Sequence, residues 1–203
     1  MKLPRRIIIG EPTNNKVFLG SKGLLEYKVS FTGKSVHSST PFKGKNAIME
    51  CTKFINELNN FYEEEIKKDV DESFLVPYST FNIGKIEGGT AINIVPDNAK
   101  ILFDFRTIDK NEEKIKAYVK SLCKKYDAKL EIINSIKAFK CESEFSSKVE
   151  TAPFLTEASF LEGERIILGP GPINAHEKNE YIERDSLETL VKQYKDIIEK
   201  SCN

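Results

Sequence analysis

Polar and apolar residues alternate strictly from residue 24 to 32. Leu25, Tyr27, Val29 and Phe31 fall on one side, and Glu26, Lys28, Ser30 and Thr32 on the other. A period of two is that of a strand with one wet face, and Gly33 ends it. Over 45–65 the period changes: Ala47, Ile48, Cys51, Phe54, Ile55, Leu58 and Tyr62 make one helical stripe, followed by a charged stretch from Glu63 to Glu72 that is expected as a solvated helix end and loop. Strands are predicted at 78–86 and at 99–108, where Ile101, Phe103 and Phe105 oppose Lys100, Asp104 and Arg106. Asp109 is placed to cap a second helix with the stripe Ile115, Tyr118, Val119, Leu122 and Tyr126, and a strand at 128–138 follows. The order strand, helix, strand, strand, helix, strand is that of the ferredoxin-like fold, an antiparallel sheet with two helices on one face.

Outside that segment the pattern differs. Ile7 to Ile9 and Ile166 to Leu168 are short unbroken apolar runs ending in Gly10-Glu11-Pro12 and Gly169-Pro170-Gly171-Pro172, which reads as buried strands running into loops. A last helix covers 185–200, with Leu187, Leu190, Val191, Tyr194, Ile197 and Ile198 as its stripe. The chain is thus expected to be mixed α/β. A lid spans 19–139, and the flanks 1–18 and 140–203 pack together as part of a second α/β domain.

Composition narrows the function. The 203 residues carry 31 basic and 31 acidic side chains, a neutral balance that argues against nucleic acid as a partner. The candidate strands also lack the stacked aromatic and basic pattern of an RNA-binding module. No apolar run approaches the roughly 20 residues of a membrane helix. No signal-peptide pattern opens the chain, so a cytoplasmic location is expected. Four scattered cysteines form no C-x-x-C pair and are expected as free thiols, with Cys51 and Cys123 as buried hydrophobes.

Only two histidines exist, His37 and His176, both in loops bordered by Gly or Pro. Glu11 stands at a strand end and Arg106 on the polar face of a strand. Singly, each signal is weak. Together, five ordered segments carry a resemblance: Ile8-Ile9-Gly10-Glu11-Pro12-Thr13, Gly33-Lys34-Ser35-Val36-His37-Ser38-Ser39, Gly88-Gly89-Thr90 through Asn93 to Pro96, Phe103-Asp104-Phe105-Arg106, and Gly169-Pro170-Gly171 with Ala175-His176. The chain resembles the dinuclear zinc amidohydrolases that include the acetylornithine deacetylases, the succinyl-diaminopimelate desuccinylases and the aminoacylases. The stretches at 76–89, 155–171 and 173–183 look most like the acetylornithine deacetylases.

The resemblance implies a role for each residue. Glu11 looks like the terminal carboxylate ligand of one zinc and His176 like the imidazole ligand of the other; both are ordinary zinc donors. His37 matches a lid histidine that reaches the partner subunit's site and stabilises the tetrahedral oxyanion. Asn93 and Arg106 match lid residues that contact the substrate, an arginine fork suiting a carboxylate. Gly169 and Gly171 match a loop whose bare backbone approaches the substrate. The implied activity is zinc-dependent hydrolysis of an N-acyl amino acid, N-acetylornithine above all, by a homodimer joined through the lid.

Two departures from the family pattern stand out. The family's His-x-Asp motif, bridging aspartate and Glu-Glu pair precede the segment matching Gly10-Glu11, where this sequence has nine residues. The chain therefore looks like the C-terminal portion of such an enzyme and is expected to be inactive, and weak in zinc, without an N-terminal half. The stretch from Glu142 to Ala152 is also too short for the helix that family members usually carry there. The alternative reading is a non-catalytic dimerisation or regulatory module, or a split-gene fragment.

Overall fold

The structure is a computed structural model and describes residues 6–146, 149–174 and 177–202. Two compact units divide the chain: residues 1–22, 72–77 and 138–203 form the first, and 23–71 with 78–137 the second.

The second unit is a four-stranded antiparallel sheet. Its strands are β3 (Gly23–Thr32), β4 (Thr80–Gly88), β5 (Asn98–Thr107) and β6 (Lys129–Ile136), in the spatial order β4-β5-β3-β6. The helices are α1 (Ala47–Phe61) and α2 (Glu112–Lys125). Alternation decides which face is covered. Leu25, Tyr27, Val29, Phe31, Ile101, Phe103 and Phe105 turn inward and form one core with Cys51, Phe54 and Leu58 of α1 and Ile115, Val119 and Leu122 of α2. Both helices therefore lie on the same face of the sheet, as the ferredoxin-like order requires. Phe54 sits centrally, with ring centroids 5.3 Å from Phe31, 6.4 Å from Phe103 and 5.9 Å from Tyr126. Each such fully buried side chain contributes about 1.5–3 kcal/mol. Asn46 caps α1, its Oδ1 accepting from Met49 N at 3.1 Å.

Two local expectations are corrected. Asp109 does not open α2: Asp109–Asn111 form a 3-10 turn and the helix starts at Glu112. Long-range contacts take the place of a side-chain cap. Asn111 Nδ2 donates to Ile66 O at 3.2 Å and Ser79 Oγ at 3.1 Å, and Ser79 Oγ accepts from Ile108 N at 3.0 Å. The charged stretch after Tyr62 is not simply solvated, because Tyr62–Ile66 continue α1 as a π-helical turn that buries Ile66 completely.

In the first unit, β1 (Arg6–Ile9) pairs in parallel with β8 (Glu164–Ile167), with Ile8 opposite Ile166. The two-residue strands β2 (Gly20–Ser21) and β7 (Phe139–Lys140) pair antiparallel. Helix α3 (Arg184–Cys202) lays Leu190 and Ile197 against Leu19, Ile166 and Leu168, and Tyr194 Oη donates to Leu168 O at 2.6 Å. A second cluster joins Phe18, Phe139, Ala152, Ala158 and Ile167. No helix forms over the described part of 142–152. All four cysteines are free, and burial pushes the Cys51 and Cys123 thiols up to about 11, which makes both poor nucleophiles. Among the described residues no helix is long and apolar enough to cross a membrane.

Candidate functional site

The parallel pairing of β1 and β8 brings both strands' C-terminal ends to one edge, which is where open α/β sheets place their ligands. Glu11 lies just past β1, its N–H bonded to Ile9 O at 3.1 Å, and Gly169-Pro170-Gly171 lies just past β8. The two loops are stitched together. Thr13, fully buried, donates from Oγ1 to Gly169 O at 3.2 Å and accepts from Gly169 N at 3.0 Å. Asn15 N reaches Gly169 O at 2.9 Å, and Asn14 N reaches Pro170 O at 3.2 Å. Glycine is required on both sides of Pro170: a Cβ on Gly169 would stand 2.1 Å from Glu11 O, and one on Gly171 would stand 2.0 Å from Asn14 Oδ1. Gly171 N donates to Ser186 Oγ at the start of α3 at 2.7 Å.

The Glu11 carboxyl is raised above the ordinary carboxylate range, first by burial, then by the negative charge of Glu157 and a hydrogen bond with its carboxyl. Sequence reasoning gave Glu157 no role. Its only signal was membership of the Thr156-Glu157-Ala158 segment, where Thr156 Oγ1 accepts from Ala158 N at 3.2 Å and caps the 3-10 turn Glu157–Phe160. His176 lies outside the described residues. Among the described residues no three His, Cys, Asp or Glu side chains are grouped as a metal cage would need.

The second unit carries the other expected residues, at two opposite ends. His37 and Asn93 come together because the loops after β3 and after β4 zip to each other. Ser38 N donates to Asn93 O at 3.0 Å, Val95 N to Val36 O at 2.8 Å, and His37 bridges Ile94. His37 is exposed. Its Nδ1 lies 2.8 Å from Ser39 Oγ and 3.2 Å from the Ser39 backbone N. Asn93 is exposed, and Ile92 beside it is wholly so. Arg106 stands on the uncovered face of β5, paired across strands with Leu24 and Thr80, and its Nε is 3.2 Å from Asp104 Oδ1. The Arg106 side chain is about one-third exposed. Eight residues separate Arg106 from Asn98, where the His37 loops attach, so the two groups lie roughly 26 Å apart along the strand. One copy of the unit cannot bring His37 and Arg106 to a common substrate.

Comparison with known proteins agrees with this layout. The family model "Peptidase dimerisation domain" matches residues 19–131. An acetylornithine deacetylase from Aliivibrio salmonicida is 29% identical over 98% of this chain, and one from Buchnera aphidicola 30% identical over the same share. The chain spans 58% of the length of each. Among solved structures, a tripeptidase from Staphylococcus aureus superposes with a TM-score of 0.74 at 24% identity, covering 95% of this chain and 56% of that one. The aminopeptidase PepT of Bacillus cereus gives 0.71 at 20% identity, with 94% and 54% covered. At these identities the likeness of the solved structures speaks for the fold. With more than half of its length matched by the family model, the chain belongs to the peptidase dimerisation domain family.

Proposed function

We propose that this chain supplies the lid, the dimer contact and one end of the metal site of a zinc amidohydrolase that cleaves N-acyl amino acids, N-acetylornithine in particular. The observation that carries this is the match of nearly the whole chain to acetylornithine deacetylases, with Glu11 seated against the Gly169 loop at the C-terminal edge of the parallel strands. Glu11 and Glu157 fit a cation. Glu11 is partly buried beside the negative charge of the exposed Glu157, and a positive charge there would offset that repulsion. Glu11 would be one zinc ligand and His176 a second, with the remaining ligands and the general base supplied by the part of the family's length outside this chain. The chemistry zinc supplies in such a site is Lewis acidity, by which water loses its proton near neutral pH and the amide carbonyl is polarised.

This chain's own residues bind and orient. The Arg106 fork, steadied by Asp104, takes the substrate carboxylate in paired hydrogen bonds. The exposed His37 imidazole donates to the oxyanion that forms as the carbonyl carbon becomes tetrahedral, and Asn93 adds a neighbouring polar contact. Because His37 and Arg106 stand at opposite ends of the sheet, His37 serves the site of a second copy. A twofold dimer meets that requirement. Edge strand β4 is the natural contact: exposed Ile86 lies on it, and exposed Met49 lies on α1, whose Ile48 packs near Gly88 at the end of β4.

The test is acetate release from N-acetylornithine, with zinc content measured alongside. The chain is assayed alone and mixed with the separately expressed N-terminal portion of the Aliivibrio salmonicida relative. Turnover only in the mixture is expected. No turnover in the mixture, when the relative's own two portions mixed likewise are active, would refute the enzyme reading in favour of a dimerisation module without catalysis.

A further inference from the structure

We infer that the pocket beside the Thr13 loop is the subsite for the substrate's side chain, and that Glu72 in its lining selects a side chain ending in a positive charge. This rests on the reading of the substrate as an N-acyl amino acid given above. The pocket measures about 400 Å³, and its whole described lining belongs to the first unit. Thr13 and Asn14 line it just beyond Glu11, and Ile173 lines it from the loop that continues past Gly171. The space therefore adjoins the same two loops that are stitched together at the strand edge. Phe18 and Phe74 add buried aromatic surface. Small-molecule sites run to about 300–1,000 Å³, mostly apolar with a few placed polar groups. An acetyl group would leave most of this space empty, whereas an extended amino-acid side chain has room in it.

The walls are fixed before any ligand arrives. Phe18 N donates to Ile167 O and Ile167 N to Phe18 O, both at 2.9 Å. Phe74 bridges Thr151, whose Oγ1 donates to Ser73 O at 3.0 Å. Lys140, which is not part of the lining, donates to Ser73 Oγ at 3.4 Å and stands 5.5 Å from the Phe74 ring centroid. A preformed pocket spares the ligand the cost of ordering it. The charged side chains of the described lining are Glu72, Glu150 and Lys16, two carboxylates against one ammonium. Glu150 is engaged elsewhere in the protein. Glu72 is exposed, and its carboxylate has no ion-pair partner among the described residues. Apolar walls with a free carboxylate at the wet end suit an aliphatic stem that carries an ammonium at its tip: the stem lies on the aromatic surface and the charge stays in water beside Glu72. Lys16, also exposed, makes an acidic side chain the competing occupant.

The experiment is a two-dimensional amide NMR titration of the full chain, without metal, using N-acetylornithine, N-acetylnorvaline and N-acetylglutamate. The first two differ by the side-chain ammonium alone. Saturable shifts of the Leu75 and Ile173 amides, both residues of the lining, are expected with N-acetylornithine. Its affinity should exceed that of N-acetylnorvaline by about two- to fivefold, the size of a solvent-exposed ion pair. Glu72→Gln should erase that preference without weakening N-acetylnorvaline, and Glu72→Lys should turn it toward N-acetylglutamate. No saturable shift at Leu75 and Ile173 with any of the three would overturn the pocket as a subsite. Equal affinity for the first two ligands, or tighter binding of N-acetylglutamate by the wild type, would overturn the selection for a positive charge. A preference unchanged in Glu72→Gln would overturn the role of Glu72. None of these readouts needs zinc, turnover or an N-terminal portion, so failure here is distinct from failure of the mixing assay above.

Discussion

Gly169→Ala should damage the strand-edge site far more than its size suggests. The added Cβ would stand 2.1 Å from Glu11 O and 2.6 Å from Glu11 C, both backbone atoms that no rotamer change can move away. The loop after β8 and the loop after β1 must then separate by about 1 Å, and overpacking of this kind costs roughly 1–3 kcal/mol. Separation also strains the bonds that join Gly169 to Thr13 and Asn15, at 3.0, 3.2 and 2.9 Å. Each is worth about 0.5–1.5 kcal/mol net, and the Thr13 hydroxyl would be left buried without a partner. The sum is a loss of roughly 2.5–7.5 kcal/mol if all three bonds are lost. Gly10→Ala is the control, since its Cβ meets only Tyr194 Oη at 3.6 Å, an ordinary contact. The assay is urea unfolding followed by circular dichroism, with amide exchange in β1 and β8 assigning the loss to the first unit. Gly169→Ala as stable as the wild type, or Gly10→Ala equally damaging, would refute the reasoning.

Phe54→Ala removes the ring at the centre of the second unit's aromatic core and should cost about 3–5 kcal/mol in denaturant unfolding. Ile86→Lys places a charge on the exposed edge of β4 and should convert the proposed dimer to monomer, read by light scattering after size exclusion; a dimer in both proteins would move the contact to another face, and a monomeric wild type would contradict the dimer itself. Lys22 is almost wholly buried, and burial lowers its ammonium to about 8 from 10.5. Between those two values the unfolded chain binds more protons than the folded one, so this group's contribution to stability rises with pH through that window and is flat below it. The stability advantage of Lys22→Met over the wild type should therefore shrink by on the order of 2–3 kcal/mol between pH 8 and pH 10.5, and a constant difference would contradict the assignment.

Most of the second unit could be read from the chain, because its elements announce themselves by period. The alternation of Leu25 to Phe31 and the stripe through Phe54 and Leu58 are local patterns, and burial followed them. What escaped depends on contacts distant in sequence. Ile66 sits among glutamates and lysines and is buried because the π turn rotates it inward. Segment 72–77 looks like loop, yet it belongs to the first unit through Phe74, which bridges Thr151, and through Thr151 Oγ1, which donates to Ser73 O at 3.0 Å. The pairing of β2 with β7 is two residues long, too short for any period. At the site, His37, Asn93, Arg106, Gly169, Gly171 and Glu11 were singled out through resemblance, with no local physics to mark them. Glu157 was missed because a carboxylate in a surface-like sequence is notable only once another carboxylate is found against it.

The central claim is that a complete active site takes His37 from one copy and Arg106 from the other. It can be measured directly by fusing this chain behind the N-terminal portion of the Aliivibrio salmonicida relative and combining two inactive variants, His37→Ala and Arg106→Ala. Random pairing makes half of the dimers mixed, and each mixed dimer holds one intact and one doubly impaired site. The mixture should therefore recover about a quarter of the activity of the unsubstituted fusion on N-acetylornithine. A mixture as inactive as its components, beside an active unsubstituted fusion, would contradict the account by placing both residues in one copy's site.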